Sequence, residues 1–206
     1  MPPKIYSTRR ISILFLLAAY AGLAVMILAP ASRAQESIVQ IDPAQTKIEF
    51  SLSGNVHTVH GKFALKSSTL RFDPSTGKID GAIVVDATSG DSGNSGRDAR
   101  MHREILESAK FPEIVFTPAL MAGAVAAEGS STVQVMGKFH LHGQDHDVTL
   151  PIEVKSDGKN LQIATHIDIP YVKWGLKNPS NFFLRVNDTV AIEIQAAGHL
   201  QSAGNP

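Results

Sequence analysis

The sequence predicts an all-β domain: an eight-stranded antiparallel barrel with one short helix between strands. Three observations predict it. From about residue 36 apolar and polar residues alternate with a period of two, which marks strands with one wet and one dry face. Clusters of turn-forming residues interrupt the alternation at hairpin spacing. One stretch, Arg97–Ser108, loses the alternation and places Met101, Ile105 and Leu106 on a single helical face.

Taken in order, Ile48, Phe50 and Leu52 alternate with Lys47, Glu49 and Ser51, and Phe63 and Leu65 alternate with Lys62, Ala64 and Lys66. Asp73-Pro74-Ser75-Thr76-Gly77 is a turn. Gly90 to Gly96, rich in Gly, Ser and Asn, reads as a flexible lead-in to the helix, and Phe111-Pro112 ends it. Val133, Val135, Gly137, Phe139 and Leu141 then form a dry face opposite Lys138, His140 and His142. Turns at His142–Asp145 and Ser156–Lys159 flank the alternation of Val148, Leu150, Ile152 and Val154. Ile163, Ile167 and Ile169, and finally Val190, Ile192 and Ile194, complete the set. A sheet of this size removes its exposed edges most simply by closing, with the helix at one mouth. A two-sheet sandwich satisfies the same alternation.

Composition narrows the function classes. Zero cysteines exclude disulfide scaffolds, Cys-ligated zinc, iron–sulfur clusters and thiol catalysis. The chain has 19 basic and 19 acidic residues, with no basic footprint for nucleic acid. That balance hides an asymmetry. Residues 1–34 hold Lys4, Arg9, Arg10 and Arg33 and no acid, so 15 basic face 19 acidic residues in the remainder. A basic start, the uncharged run Ile11–Leu28 and the small residues Ala29, Ala31, Ser32 and Ala34 follow the layout of a secretory signal peptide, with an uncleaved anchor as the alternative. The expected organisation is a signal peptide at 1–34 and a barrel domain at 36–203, exported to the periplasm.

An eight-stranded barrel is just wide enough to fill itself with side chains or to hold one slender ligand. The alternation alone favours a filled core. Gly54, Gly61, Gly81 and Gly137, within or beside strands, leave nothing to pack there and read equally as bulges or barrel corners.

Particular segments add more. Val59-His60-Gly61-Lys62-Phe63 followed by Leu70-Arg71-Phe72-Asp73 resembles the opening strands of the YceI-like family. Arg97-Asp98, Phe111-Pro112-Glu113-Ile114-Val115-Phe116, Val135–Gly143 and Asp188-Thr189-Val190-Ala191-Ile192 continue the match in order, over roughly residues 38–200. The family often has an arginine and a Phe-Gly pair in the seventh-strand region, where this chain reads Ile169–Pro179 with Trp174-Gly175 instead. The resemblance implies exported bacterial proteins with a lipocalin-like barrel that bind polyisoprenoid lipids in an elongated apolar tunnel. The matched inward positions are Phe50, Leu52, Phe63, Leu65, Phe116, Phe139 and Leu141, with Trp174, Phe182 and Phe183 at the mouth. Energetics permit this. A five-carbon isoprene unit contributes at most about 3–4 kcal/mol on burial. Micromolar affinity needs about 8 kcal/mol net of association costs, so a chain of about four units suffices without a charged contact.

Three sharper chemistries have weaker support. His140, His142 and His146 form H-x-H-x₃-H, and His57 and His60 are near one another, but alternation puts His140 and His142 on a polar face, so no metal site is expected. There is no nucleophile elbow, H-E-x-x-H or P-loop, so no enzyme is expected. The helix carries Arg97, Arg100, His102 and Arg103 among Asp98, Glu104 and Glu107. It reads as a solvated mixed-charge face, or as a mouth where Arg97 and Arg100 meet a phosphate headgroup. The expectation is a periplasmic binding protein that holds a polyisoprenoid or similar long-chain amphiphile for transport or storage, with no cofactor and no nucleic acid. A homodimer is compatible with it. The alternative is a periplasmic metal-binding or stress-related accessory protein with a packed barrel core.

Overall fold

The computed structural model describes residues 36–202. The expected signal segment at 1–34 lies outside the described residues. Nine strands form one antiparallel sheet: β1 (Ser37–Ile41), β2 (Lys47–Ser53), β3 (Thr58–Phe72), β4 (Ile79–Asp91), β5 (Glu113–Ala122), β6 (Glu128–Leu141), β7 (Gln144–Asp157), β8 (Asn160–Ile169) and β9 (Val190–Ser202). Between β4 and β5 lies a short helix α1 (Ser95–Arg100), prolonged by a π-helical turn Met101–Ile105.

Neighbouring strands pair in sequence from β2 to β9, β9 pairs with β2, and no edge is left within that ring. The closed ring replaces the sandwich alternative. β1 does not add a ninth position. It pairs with the end of β3 at 70–72 and with the end of β9 at 198–202, whereas β2 pairs with the other halves of the same two strands, at 58–63 and 191–195. β1 and β2 are thus two lengths of one barrel position, broken by a 3₁₀ turn at Pro43–Gln45 that the Asp42 side chain caps through the Ala44 N–H at 2.8 Å. β3 carries two register shifts against β4, between Lys62 and Ala64 and between Leu65 and Ser67, and such bulges bend a strand where a barrel must curve.

The two ends of the barrel differ. At the end bearing the 73–78, 123–127 and 158–159 connections, Ile79, Val133, Val135, Leu150, Val154 and Leu161 are buried with Leu70, Phe72, Met121 and Leu200 packed on them. This end is plugged. At the other end lie the β2–β3 turn, the helix, the β6–β7 hairpin and the long connection 170–189. The helix begins at Ser95, earlier than the sequence suggests, because Asn94 Oδ1 accepts the Arg97 N–H at 3.0 Å and Asp98 reaches back to Ser92. Strand β4 also runs on to Asp91, so only Ser92–Asn94 separates the two. The Gly-rich stretch is therefore folded, not a loose lead-in.

Candidate functional site

Alternation aims one face of every strand at the barrel interior, and above the plugged end those side chains do not meet. They enclose a cavity of about 490 Å³, within the usual range of small-molecule sites. Its wall comes from all round the ring: Ile48, Phe50 and Leu52 of β2, Val59, Phe63 and Leu65 of β3, Ile83 and Val85 of β4, Ile114 and Phe116 of β5, Phe139 and Leu141 of β6. Leu150 and Ile152 of β7, Ile163, Ile167 and Ile169 of β8, and Ile192 and Ile194 of β9 complete it.

Two glycines make this space. Gly61 and Phe50 are cross-strand partners, and a Cβ on Gly61 would overlap the Phe50 ring. Phe50 in turn tilts against Phe63 with ring centroids 5.5 Å apart. Gly137 lies beside the Phe116 ring, 2.9 Å from where a Cβ would sit, so Phe116 spreads along the wall rather than across the lumen. The aromatic rings are laid flat by missing side chains opposite them.

The lid of the cavity is the helix and the 170–189 connection. Met101, Ile105 and Leu106, the face the sequence singles out, turn into the lumen, and Tyr171, Leu176, Leu184 and Val186 cover it from the other side. Tyr171 Oη donates to the Asn187 carbonyl at 2.8 Å and pins this connection; burial, with the Asp188 charge, pushes the phenol up to about 12. Polar groups gather at the rim: Ser92, Arg97, Arg100 and His57. Arg97 donates from Nε and Nη2 to Ser92 Oγ and O at 2.7 and 2.8 Å. Arg100 Nε donates to Glu104 at 3.1 Å, and the Arg103 and Arg100 guanidiniums hold the Glu104 carboxyl below its usual range. A guanidinium has five N–H donors, so both arginines retain donors for an anion at the rim.

The expected site residues fall in four places. Phe50, Leu52, Phe63, Leu65, Phe116, Phe139 and Leu141 face the cavity, and Arg97 and Arg100 stand at its rim. Trp174 does not line it. Its indole stacks on His146 with centroids 4.0 Å apart and tilts against Phe139 at 5.7 Å, behind the wall. Phe182 and Phe183 sit on the outside of the 170–189 connection, 88% and 84% exposed. The sequence reading missed the aliphatic share of the wall from β4, β7, β8 and β9, although the same alternation marks Ile163, Ile167, Ile192 and Ile194.

The histidines disperse. His140 pairs with Asp145 at 2.6 Å on the outer face, His142 Nε2 is 3.2 Å from Glu107 against the Phe111 ring, and His146 turns inward onto Trp174. A hairpin that alternates faces separates them, and among the described residues no group of three His, Asp or Glu side chains is placed to hold a metal ion. His102 Nδ1 lies 3.0 Å from Ser108 Oγ, but Ser108 is buried and neither lines the cavity.

Comparison with known proteins gives the same architecture. Two UPF0312 proteins of Vibrio vulnificus, from strains YJ016 and CMCP6, are each 27% identical over 145 residues, which cover 68% of this chain and 74% of theirs. The crystal structure of Burkholderia cenocepacia BcnA superposes with a TM-score of 0.64 at 19% identity, covering 76% of this chain and 98% of that one. A polyisoprenoid binding domain from Saccharophagus degradans, implicated in plant cell wall breakdown, superposes with a TM-score of 0.60 at 15% identity, over 79% of this chain and 98% of that one. At these identities the likeness is one of fold. The YceI-like domain matches residues 39–197, from β1 to the middle of β9, and the chain belongs to the YceI-like family.

Proposed function

We propose that the protein binds a polyisoprenoid or similar long-chain amphiphilic lipid, tail inside the barrel and headgroup at the Arg97–Arg100 rim, and carries or stores it in the periplasm. The apolar cavity carries this reading: a packed barrel core, as in an accessory protein, has no such space, and a wall dominated by Ile, Leu, Phe and Val with its charged groups at the rim suits an apolar tail with a polar head. The fold likeness to a polyisoprenoid binding domain supports it. A binder rather than an enzyme fits best, since the wall is apolar and the Ser92 hydroxyl at the rim is engaged by Asp98 and Arg97 in holding the start of the helix. The periplasmic location rests on the signal-like residues 1–34.

Binding of prenols of increasing length tests the reading. Each added isoprene unit buries more apolar surface, so affinity should climb steeply and then level off when the cavity is full. Affinity that is flat with chain length, or highest for short polar analogues, contradicts it.

A further inference from the structure

The exposed apolar surface is concentrated at one place. Phe182, Phe183 and Val56, which is 70% exposed, are the three most exposed large apolar residues among those described, and all lie at the mouth end. The exposure is built. Asn181 Oδ1 accepts the N–H groups of Phe183 and Leu184 at 2.9 and 2.8 Å, and Asn181 N–H donates to the Leu184 carbonyl at 2.8 Å. This closes a turn whose two central residues are the phenylalanines, set edge to face with centroids 5.2 Å apart. The turn is laced to the one bearing Val56: Asn55 N–H donates to the Arg185 carbonyl at 2.9 Å, Asn55 Oδ1 accepts the Arg185 N–H at 3.0 Å, and Asn55 Nδ2 donates to the Phe183 carbonyl at 3.3 Å. Lys173, Lys177 and Arg185 are exposed on the same connection, whose single acid, Asp188, accepts from Asn178 at 2.6 Å. The mouth-end loops (54–57, 92–112, 142–143 and 170–189) hold seven basic against four acidic residues, the reverse of the acidic excess beyond residue 34.

We propose that the barrel docks mouth-first on an anionic lipid bilayer, with Phe182, Phe183 and Val56 inserted at headgroup level and Lys173, Lys177 and Arg185 against lipid phosphates. Aromatic tips flanked by cations suit the boundary between acyl chains and anionic headgroups. The patch is continuous with the cavity, because Leu184 in the same turn and Val186 two residues beyond it line the lumen. Docking there brings the opening to the bilayer, so that a tail passes between the two without crossing water. The proposal deepens the lipid-binding reading and rests on it for the cargo.

The full chain contains no cysteine, so Val56→Cys and, at the plugged end, Lys159→Cys each accept a single environment-sensitive nitrobenzoxadiazole label. Vesicles of phosphatidylcholine with phosphatidylglycerol should shift the emission at position 56 to the blue, with little change at 159, and phosphatidylcholine alone should do so more weakly. Phe182→Ser/Phe183→Ser should weaken the vesicle affinity read at position 56 about tenfold or more with an unchanged melting temperature. Lys177→Glu/Arg185→Glu, which leaves the turn intact, should remove the dependence on phosphatidylglycerol. An absent shift at 56, an equal shift at 159, or a Phe182- and Phe183-dependent dimer without vesicle binding overturns the proposal. Geranylgeraniol uptake is measured in parallel without vesicles. Uptake without docking removes the docking alone, whereas docking without uptake supports the surface and overturns the lipid-cargo reading.

Discussion

The ring of Phe50 lies over Gly61, its partner across β2 and β3, so closely that no Cβ fits between them. That contact keeps the ring against the wall and out of the lumen. Gly61→Ala must push Phe50 inward or part the strands, since the Asp91 carbonyl, 2.6 Å from the Cβ position, blocks the alternative path. We expect destabilisation of about 1–3 kcal/mol by overpacking, together with weaker prenol binding. Urea unfolding and a prenol titration read the two effects; a variant as stable as the parent with undiminished uptake would show that the contact does not shape the cavity.

Ile192 sits near the mouth end of β9, two residues into the strand, and faces the lumen. Ile192→Phe should shorten the longest prenol accommodated. If one isoprene unit is excluded, long chains lose up to about 3 kcal/mol, or roughly a hundredfold in affinity, while short ones are little affected. Equal losses at every length would point to disturbed folding instead, and a prenol ladder measured on both proteins distinguishes the outcomes.

Arg97 and Arg100 supply the rim's positive charge. Replacing both with alanine should weaken a prenyl diphosphate by about tenfold or more, the scale of a lost charge-assisted hydrogen bond, and leave the matching prenol unchanged. Parallel calorimetry of the two ligands checks this. Equal affinities of parent and variant for the diphosphate would place the headgroup elsewhere.

Tyr171 ties the lid connection to Asn187. Tyr171→Phe should cost about 1 kcal/mol. Because folding raises the phenol to about 12, the neutral form is favoured in the native state. Its contribution is therefore complete below the ordinary tyrosine value near 10 and is lost as pH rises from about 10 to 12. Denaturation of parent and variant between pH 8 and 12 should show the gap closing over that window; a gap that persists at pH 12 contradicts the assignment.

How much of this was legible in the sequence depends on the residue. Phe50, Phe63 and Phe139 face inward because strand parity fixes the side on which a residue lies, and parity is a local property. Parity also marked Ile163, Ile167, Ile192 and Ile194, yet nothing in a β-branched residue's identity says whether its neighbours across the lumen touch it. That depends on barrel closure and on Gly61 and Gly137, which are blank in a hydropathy pattern. The break of β1 from β2 was equally hidden, because a 3₁₀ turn of Pro43, Ala44 and Gln45 looks like any hairpin loop. Trp174 shows the limit most clearly. Its place in the mouth segment was readable, but its stacking on His146 requires the β6–β7 hairpin to turn that histidine inward, a three-dimensional fact.

If the lumen holds a lipid tail, the tail should travel with the protein through gentle purification. Native mass spectrometry of gently purified protein, followed by organic extraction of any adduct, tests it most directly. The expected result is an adduct whose mass falls in the isoprenoid series or that of another long-chain amphiphile, and whose occupancy drops in Ile192→Phe. Bare protein that also fails to take up added prenols would contradict it.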